Sequence, residues 1–132
     1  MAGTQSNRQI KSSDRSLPPS VLYVADKTDI SAFHSAHLRD AGYRLHAVPT
    51  AAEALVHIRQ IQVDIVVIAH GLSLVDRSQI ENAVQVLHPK PRIVLLYDAS
   101  ISKTEQADAV LNVNCEPQHL VQTIRYLLTG SD

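Results

Sequence analysis

Two histidines three residues apart, His34 and His37, stand in a stretch of helical periodicity. That spacing puts both rings on adjoining faces of a helix and suits a metal ion. No third ligand accompanies them in sequence, so packing at the surface or at a boundary is the expectation. The single cysteine, Cys115, excludes an internal disulfide, and no cysteine cluster is present to build a zinc site. It follows a short apolar run at the start of a loop, where an inert, partly buried thiol is expected. Three carboxylates, Asp26, Asp29 and Asp98, follow or flank apolar runs and would meet at one edge of a sheet if those runs are parallel strands. A weak cation site at Asp26 is one reading; the other makes Asp26 a solvated turn residue and Asp29 a helix cap. The four glycines, Gly3, Gly42, Gly71 and Gly130, form neither a G-x-G-x-x-G nor a P-loop. With no phosphate-cradling loop and no nucleophile set beside a base, the chain is not expected to be an enzyme or to carry a cofactor.

Composition narrows the partners. At 132 residues the chain has the length of one domain, and with 45 % hydrophobic and 19 % charged residues it is too apolar to remain disordered. A net charge of −1 supplies no basic field for phosphate backbone or anionic lipid, so neither nucleic acid nor membrane is an expected partner. The N-terminus lacks the apolar core of a signal peptide, and no apolar run approaches the roughly 18 residues that span a bilayer. A reducing cytoplasm is the expected compartment.

Residues 1–19, MAGTQSNRQIKSSDRSLPP, are polar and end in Pro18-Pro19, which opposes helix, so they are expected to form a flexible tail ahead of a domain over 20–129. From Val21 onward, apolar runs alternate with stretches of helical period, the pattern of strands joined by crossover helices. VLYVA (21–25), VDIVVIA (63–69) and RIVLLY (92–97) are too apolar for a sheet with one wet face, so both faces should be covered. YRLHAV (43–48) and AVLNV (109–113) are weaker and belong toward the edges. Asp29 is placed to cap a helix over 29–41 that carries Ile30, Phe33, His37, Leu38 and Ala41 on one side, with Gly42 leaving it in the left-handed conformation. Thr50 and Glu53 form a capping box before Leu55, Ile58 and Ile61. Ile80, Ala83, Val84 and Leu87 mark a third helix that stops before His88-Pro89. The polar stretch 100–107 suggests a short fourth. The last helix opens at Pro117, where a missing amide costs nothing, and buries Leu120, Ile124, Leu127 and Leu128. Five strands and five helices are predicted.

VLYVADKTD, VDIVVIAHGLS and ADAVLNVNCEPQHLVQTIRYLL, in that order and spacing, resemble the receiver domains of response regulators, the CheY-like family. The resemblance spans residues 21–129. It implies a three-layer α-β-α, flavodoxin-like, doubly wound parallel sheet of five strands in the order 2-1-3-4-5. Such domains end the first strand in a pair of acidic residues that hold magnesium, a hard cation wanting oxygen ligands; here the pair is Ala25-Asp26. The phosphoacceptor aspartate falls on Ala69, and a methyl group cannot accept a phosphoryl group. The hydroxyl residue ending the fourth strand falls on Tyr97, too long for that contact and placed to fill the vacated pocket with its ring. The lysine that offsets the phosphoryl charge falls on Val113, and the proline after it on Asn114. The aromatic residue that reports activation falls on Val110 or Leu111. His70, next to the lost acceptor, is read as a loop histidine bonded to nearby backbone, with a substitute acceptor or a metal ligand as the alternative.

Because phosphoryl transfer relies on metal and cationic stabilisation, losing the nucleophile, a metal ligand and the lysine together implies a pseudo-receiver that is not phosphorylated. The resemblance then points to a protein-interaction module in a bacterial two-component (phosphorelay) pathway. Its partner would be a signalling protein, a kinase or an output domain, or a second copy of the chain. Gln118, Gln122, Arg125 and Tyr126 on the last helix form the candidate face, a Tyr beside an Arg being a common interface pairing. The alternative is a small-ligand sensor that uses the modified crevice around Asp26, Ala69 and Tyr97.

Overall fold

A computed structural model describes residues 18–25, 29–69, 72–97, 107–112 and 114–129. The strands are β1 (Ser20–Val24), β2 (Arg44–Val48), β3 (Ile65–Ile68), β4 (Arg92–Tyr97) and β5 (Ala109–Asn112). The helices among the described residues are α1 (Asp29–Asp40), α2 (Ala51–Gln60), α3 (Leu74–Gln85) and α4 (Pro117–Thr129). All five strands run parallel in the order β2-β1-β3-β4-β5, which is the flavodoxin-like 2-1-3-4-5 arrangement. Residues 1–17 of the tail expected over 1–19, and 100–106 of the short helix expected over 100–107, lie outside the described residues. None of the described helices is long and apolar enough to cross a membrane.

The strand period of two divides the core into two faces. Leu22, Val24, Val66, Ile68, Ile93 and Leu95 pack with Ala54, Ile58, Ile80 and Val84 of α2 and α3. Val21, Tyr23, Ile65, Val67, Val94 and Leu96 pack on the opposite face with Leu38 of α1 and Leu120 and Ile124 of α4. A sheet covered on both sides needs apolar residues at every position of its inner strands, which is why IVVI and IVLL carry no polar residue.

Two aspartates stitch the ends of the strands at which the parallel chains enter the sheet. The Ser20 amide donates to Asp64 Oδ2 at 2.8 Å, the Asp64 amide donates back to the Ser20 carbonyl at 3.0 Å, and the Asp64 carbonyl accepts from Arg92 at 3.1 Å. Asp108 repeats the device one pair along: the Ile93 amide donates to its Oδ2 at 2.8 Å, and its own amide donates to the Ile93 carbonyl at 2.8 Å. Each carboxylate satisfies a strand-end amide that would otherwise lose its partner to the core.

The helix ends follow local chemistry. Thr50 accepts from the Glu53 amide at 3.2 Å, the N-cap half of the expected capping box. Gly42 leaves α1 at φ 98°, with its amide on the Arg39 carbonyl and the Tyr43 amide on the Leu38 carbonyl, the double bond of a Schellman ending. Three expectations need correction. Helix α1 begins at Asp29 itself, so that residue is inside the helix rather than its cap. Its buried stripe is His34, Ser35 and Leu38, while Phe33 is 55 % exposed and stacks edge-on against His37 on the outer side. Helix α3 starts a turn and a half before its apolar stripe, because Ser73 accepts from the Asp76 amide at 3.1 Å and fixes the start. Its first turns bury Arg77 and Glu81, an i,i+4 pair with Nε and Oε2 4.0 Å apart, which a search for apolar periodicity passes over.

Candidate functional site

Parallel α/β sheets carry their ligand crevice outside the carboxyl ends of the strands. Three of the sequence-predicted positions are described at that edge. Val24 and Ile68 are register partners, which sets Ala25 level with Ala69 on adjacent strands. The Ala69 amide donates to the Val24 carbonyl and the Ala25 amide to the Val48 carbonyl, each at 3.0 Å, so both backbones are fixed by the ladder. Their side chains are 7 % and 6 % exposed, for Ala25 and Ala69 respectively. Tyr97 is the last residue of β4 and pairs with Asn112 of β5. Asp26, His70, Asp98 and Val113 lie outside the described residues. At this edge Ala25 and Ala69 present buried methyl groups, which carry no lone pair for a cation.

The chain leaving β5 is held by Asn112, whose side-chain oxygen accepts from the Asn114 amide at 2.8 Å while its carbonyl accepts from the Cys115 amide at 2.9 Å. Cys115 is a free thiol of intermediate burial. Burial pushes it up from its ordinary value, which leaves it protonated and a poor nucleophile at neutral pH.

Below this edge, Tyr23 and His34 form a buried pair with the phenol oxygen 2.8 Å from Nδ1. The expectation that His34 packs at the surface or at a boundary is overturned: the ring is 1 % exposed. Burial pushes His34 down from its usual range, a backbone hydrogen bond with Cys115 pushes the other way, and His37 adds to the lowering. Burial, and then the Cys115 side chain, push the Tyr23 phenol up. Both groups are therefore neutral at physiological pH. The companion His37 bonds through Nδ1 to the Phe33 carbonyl at 3.1 Å, and among the described residues no third metal-capable side chain joins the two histidines of α1.

The outer face of α4 carries Gln118, Gln122, Arg125 and Tyr126, all exposed, with Tyr126 at 58 %. Between this helix and β5, Leu111, His119, Gln122, Thr123 and Tyr126 line an open depression of about 450 Å³. Val110 turns to the α2/α3 face of the core and Leu111 to the α1/α4 face. Sequence reasoning missed a further pair, His46 on β2 and His57 on α2, with ring centroids 5.8 Å apart. No local spacing signals this pair, because its members come from two different elements.

No family model matches the sequence, and no curated protein matches it. Solved structures do. The fold is that of CheY-like receiver domains. The chain superimposes on the chemotaxis response regulator CheY4 of Vibrio cholerae with a TM-score of 0.71 at 22 % identity, covering 83 % of this chain and 98 % of that one. A putative response regulator from Chloroflexus aurantiacus gives 0.74 at 24 % identity, covering 85 % and 98 %. A chain from the complex of histidine kinase ThkA with response regulator protein TrrA gives 0.70 at 18 % identity, covering 83 % and 98 %.

Proposed function

We propose that this chain is a pseudo-receiver: a domain of the two-component signalling type that takes up no phosphoryl group and works by binding a protein partner. The observation that carries the reading is the buried methyl group of Ala69, level with Ala25, where the phosphoacceptor and a metal ligand would stand in a receiver domain. Without a nucleophile there is no covalent step, and without the paired carboxylates no metal is held in line with it. What survives loss of that chemistry is surface. The face of α4 beside β5 supports the binding reading, because it combines the exposed Tyr126 ring and Arg125 with an open depression. The partner class is a signalling protein, whether a kinase, an output domain or a second copy of the chain, and a cytoplasmic location goes with that role.

The test is intact-mass spectrometry of the full chain after incubation with a small-molecule phosphodonor and magnesium. The expected result is an unmodified mass and unchanged amide shifts, and a stoichiometric phospho-adduct would refute the reading. For the binding half, partner capture should be indifferent to the phosphodonor and should be lost in the Arg125→Glu, Tyr126→Ala variant.

A further inference from the structure

Outside the crevice, the described residues hold one place where two metal-capable side chains on different elements face each other. His46 projects from edge strand β2 on the side of Leu22 and Val48, the face that packs against α2. His57 projects from α2 toward it, and the two rings meet with centroids 5.8 Å apart and planes tilted by 54°. His46 Nε2 is buried and has no hydrogen-bond partner. His57 Nδ1 bonds to the Glu53 carbonyl at 3.0 Å. A carbonyl can only accept, so Nδ1 carries the proton and the lone pair of a neutral ring resides on Nε2. Metal-binding histidines are held in this way, with the other ring nitrogen donated to a carbonyl.

We propose that His46 and His57 form a two-histidine site for a borderline transition-metal ion of the zinc(II), nickel(II) or copper(II) class. Metal–imidazole bonds run about 2.0–2.1 Å and the ring centre lies roughly an ångström behind the nitrogen, so two rings on one metal have centroids roughly five to six ångströms apart. The observed separation falls in that span. Imidazole ligands favour this metal class over magnesium or calcium, which take oxygen. No group of three histidine, cysteine, aspartate or glutamate side chains converges on one point among the described residues, so water would complete the shell. Two further observations bear on occupancy. Burial, then His57, then Arg44 push the His46 ring down from its usual value. Arg44 also repels a cation, and its Nε is tied to the Pro18 carbonyl at 3.0 Å.

The experiment is a zinc(II) titration of chelator-treated full chain at neutral pH, followed by calorimetry and by imidazole nitrogen NMR. The expected result is uptake of one equivalent, with shifts of the His46 and His57 ring nitrogens. His57→Asn should weaken binding by more than an order of magnitude, and His46→Asn likewise, while His88→Asn and His119→Asn leave it unchanged. Because His57 is only half-buried, its variant keeps the fold and remains decisive if His46→Asn proves unstable. Absence of uptake, or uptake that His57→Asn leaves intact, overturns the proposal.

Discussion

The phenol of Tyr23 and Nδ1 of His34 lie 2.8 Å apart in the interior, joining the first strand to the first helix through a bond that water does not reach. A neutral imidazole bonds one donor and one acceptor. Here Tyr23 faces Nδ1, and the backbone of Cys115 provides the second hydrogen bond. The pair thereby ties β1 and α1 to the chain segment that leads into α4.

Tyr23→Phe removes one hydroxyl and leaves His34 Nδ1 buried without a partner, at a cost of about 1–3 kcal/mol. Urea denaturation monitored by circular dichroism measures it. His34→Leu should cost a similar amount by stranding the phenol. The double variant should recover part of the loss, since neither side chain then leaves the other unsatisfied. Strict additivity of the two single losses would show that the hydrogen bond is not the source of the coupling.

Stability should fall on the acid side. His34 is pushed down by burial and by His37 against the Cys115 backbone bond, and His46 is pushed down by burial, His57 and Arg44. The unfolded chain therefore takes up protons below about pH 6.5 that the native fold refuses. This contribution is complete above that value and is lost as pH falls through the window toward the lowered native values. Melting temperature measured between roughly pH 8 and pH 5 should decline with acidification. His34→Leu should show a shallower decline, and an unchanged slope would count against the assignment.

Asp64→Ala removes the acceptor of the Ser20 amide at the entry of the central strand, and a destabilisation of about 1–3 kcal/mol is expected. Asp108→Asn keeps an acceptor for Ile93 and loses only the charge facing Arg92, 3.7 Å away and half exposed. Solvent screens that pair, so the change should stay within about 1 kcal/mol. Thermal melts of the two variants side by side check the ordering.

On the pseudo-receiver proposal, Ala69→Asp places a carboxylate where the phosphoacceptor would stand, still without the lysine or the second metal ligand that the proposal finds missing. No phosphoryl uptake should return, by intact mass with phosphodonor and magnesium. The variant should also be less stable than the parent, because the new charge is placed where the native side chain is 6 % exposed.

The strands were legible because buried parallel strands leave little room for ambiguity: IVLL and IVVI are apolar without interruption. Their order came with the receiver resemblance, while the weaker patterns of YRLHAV and AVLNV had placed those two strands toward the edges. Helix faces were harder. Phe33 is the more hydrophobic neighbour of His34, yet the histidine is inside, because the Tyr23 hydroxyl offers it a partner from another element. The start of α3 depended on the Ser73 hydroxyl and on a charged pair in place of an apolar stripe. At the crevice, sequence placed Ala25, Ala69 and Tyr97 at the carboxyl ends of strands, and they are there. The His46–His57 pairing arises only once β2 and α2 have docked, so no local spacing announces it.

Asp64 and Asp108 grip the strands at the pole opposite Ala25 and Ala69. The architecture therefore has its anchor at one end and its candidate crevice at the other. Loops leaving the carboxyl ends can be rewritten, emptied of reactive groups or grafted with new recognition residues while the stitching beneath them holds the sheet together. In evolutionary terms, that separation makes the loss of a reactive centre a survivable event, and in practical terms it makes the chain a scaffold whose upper rim is open to redesign.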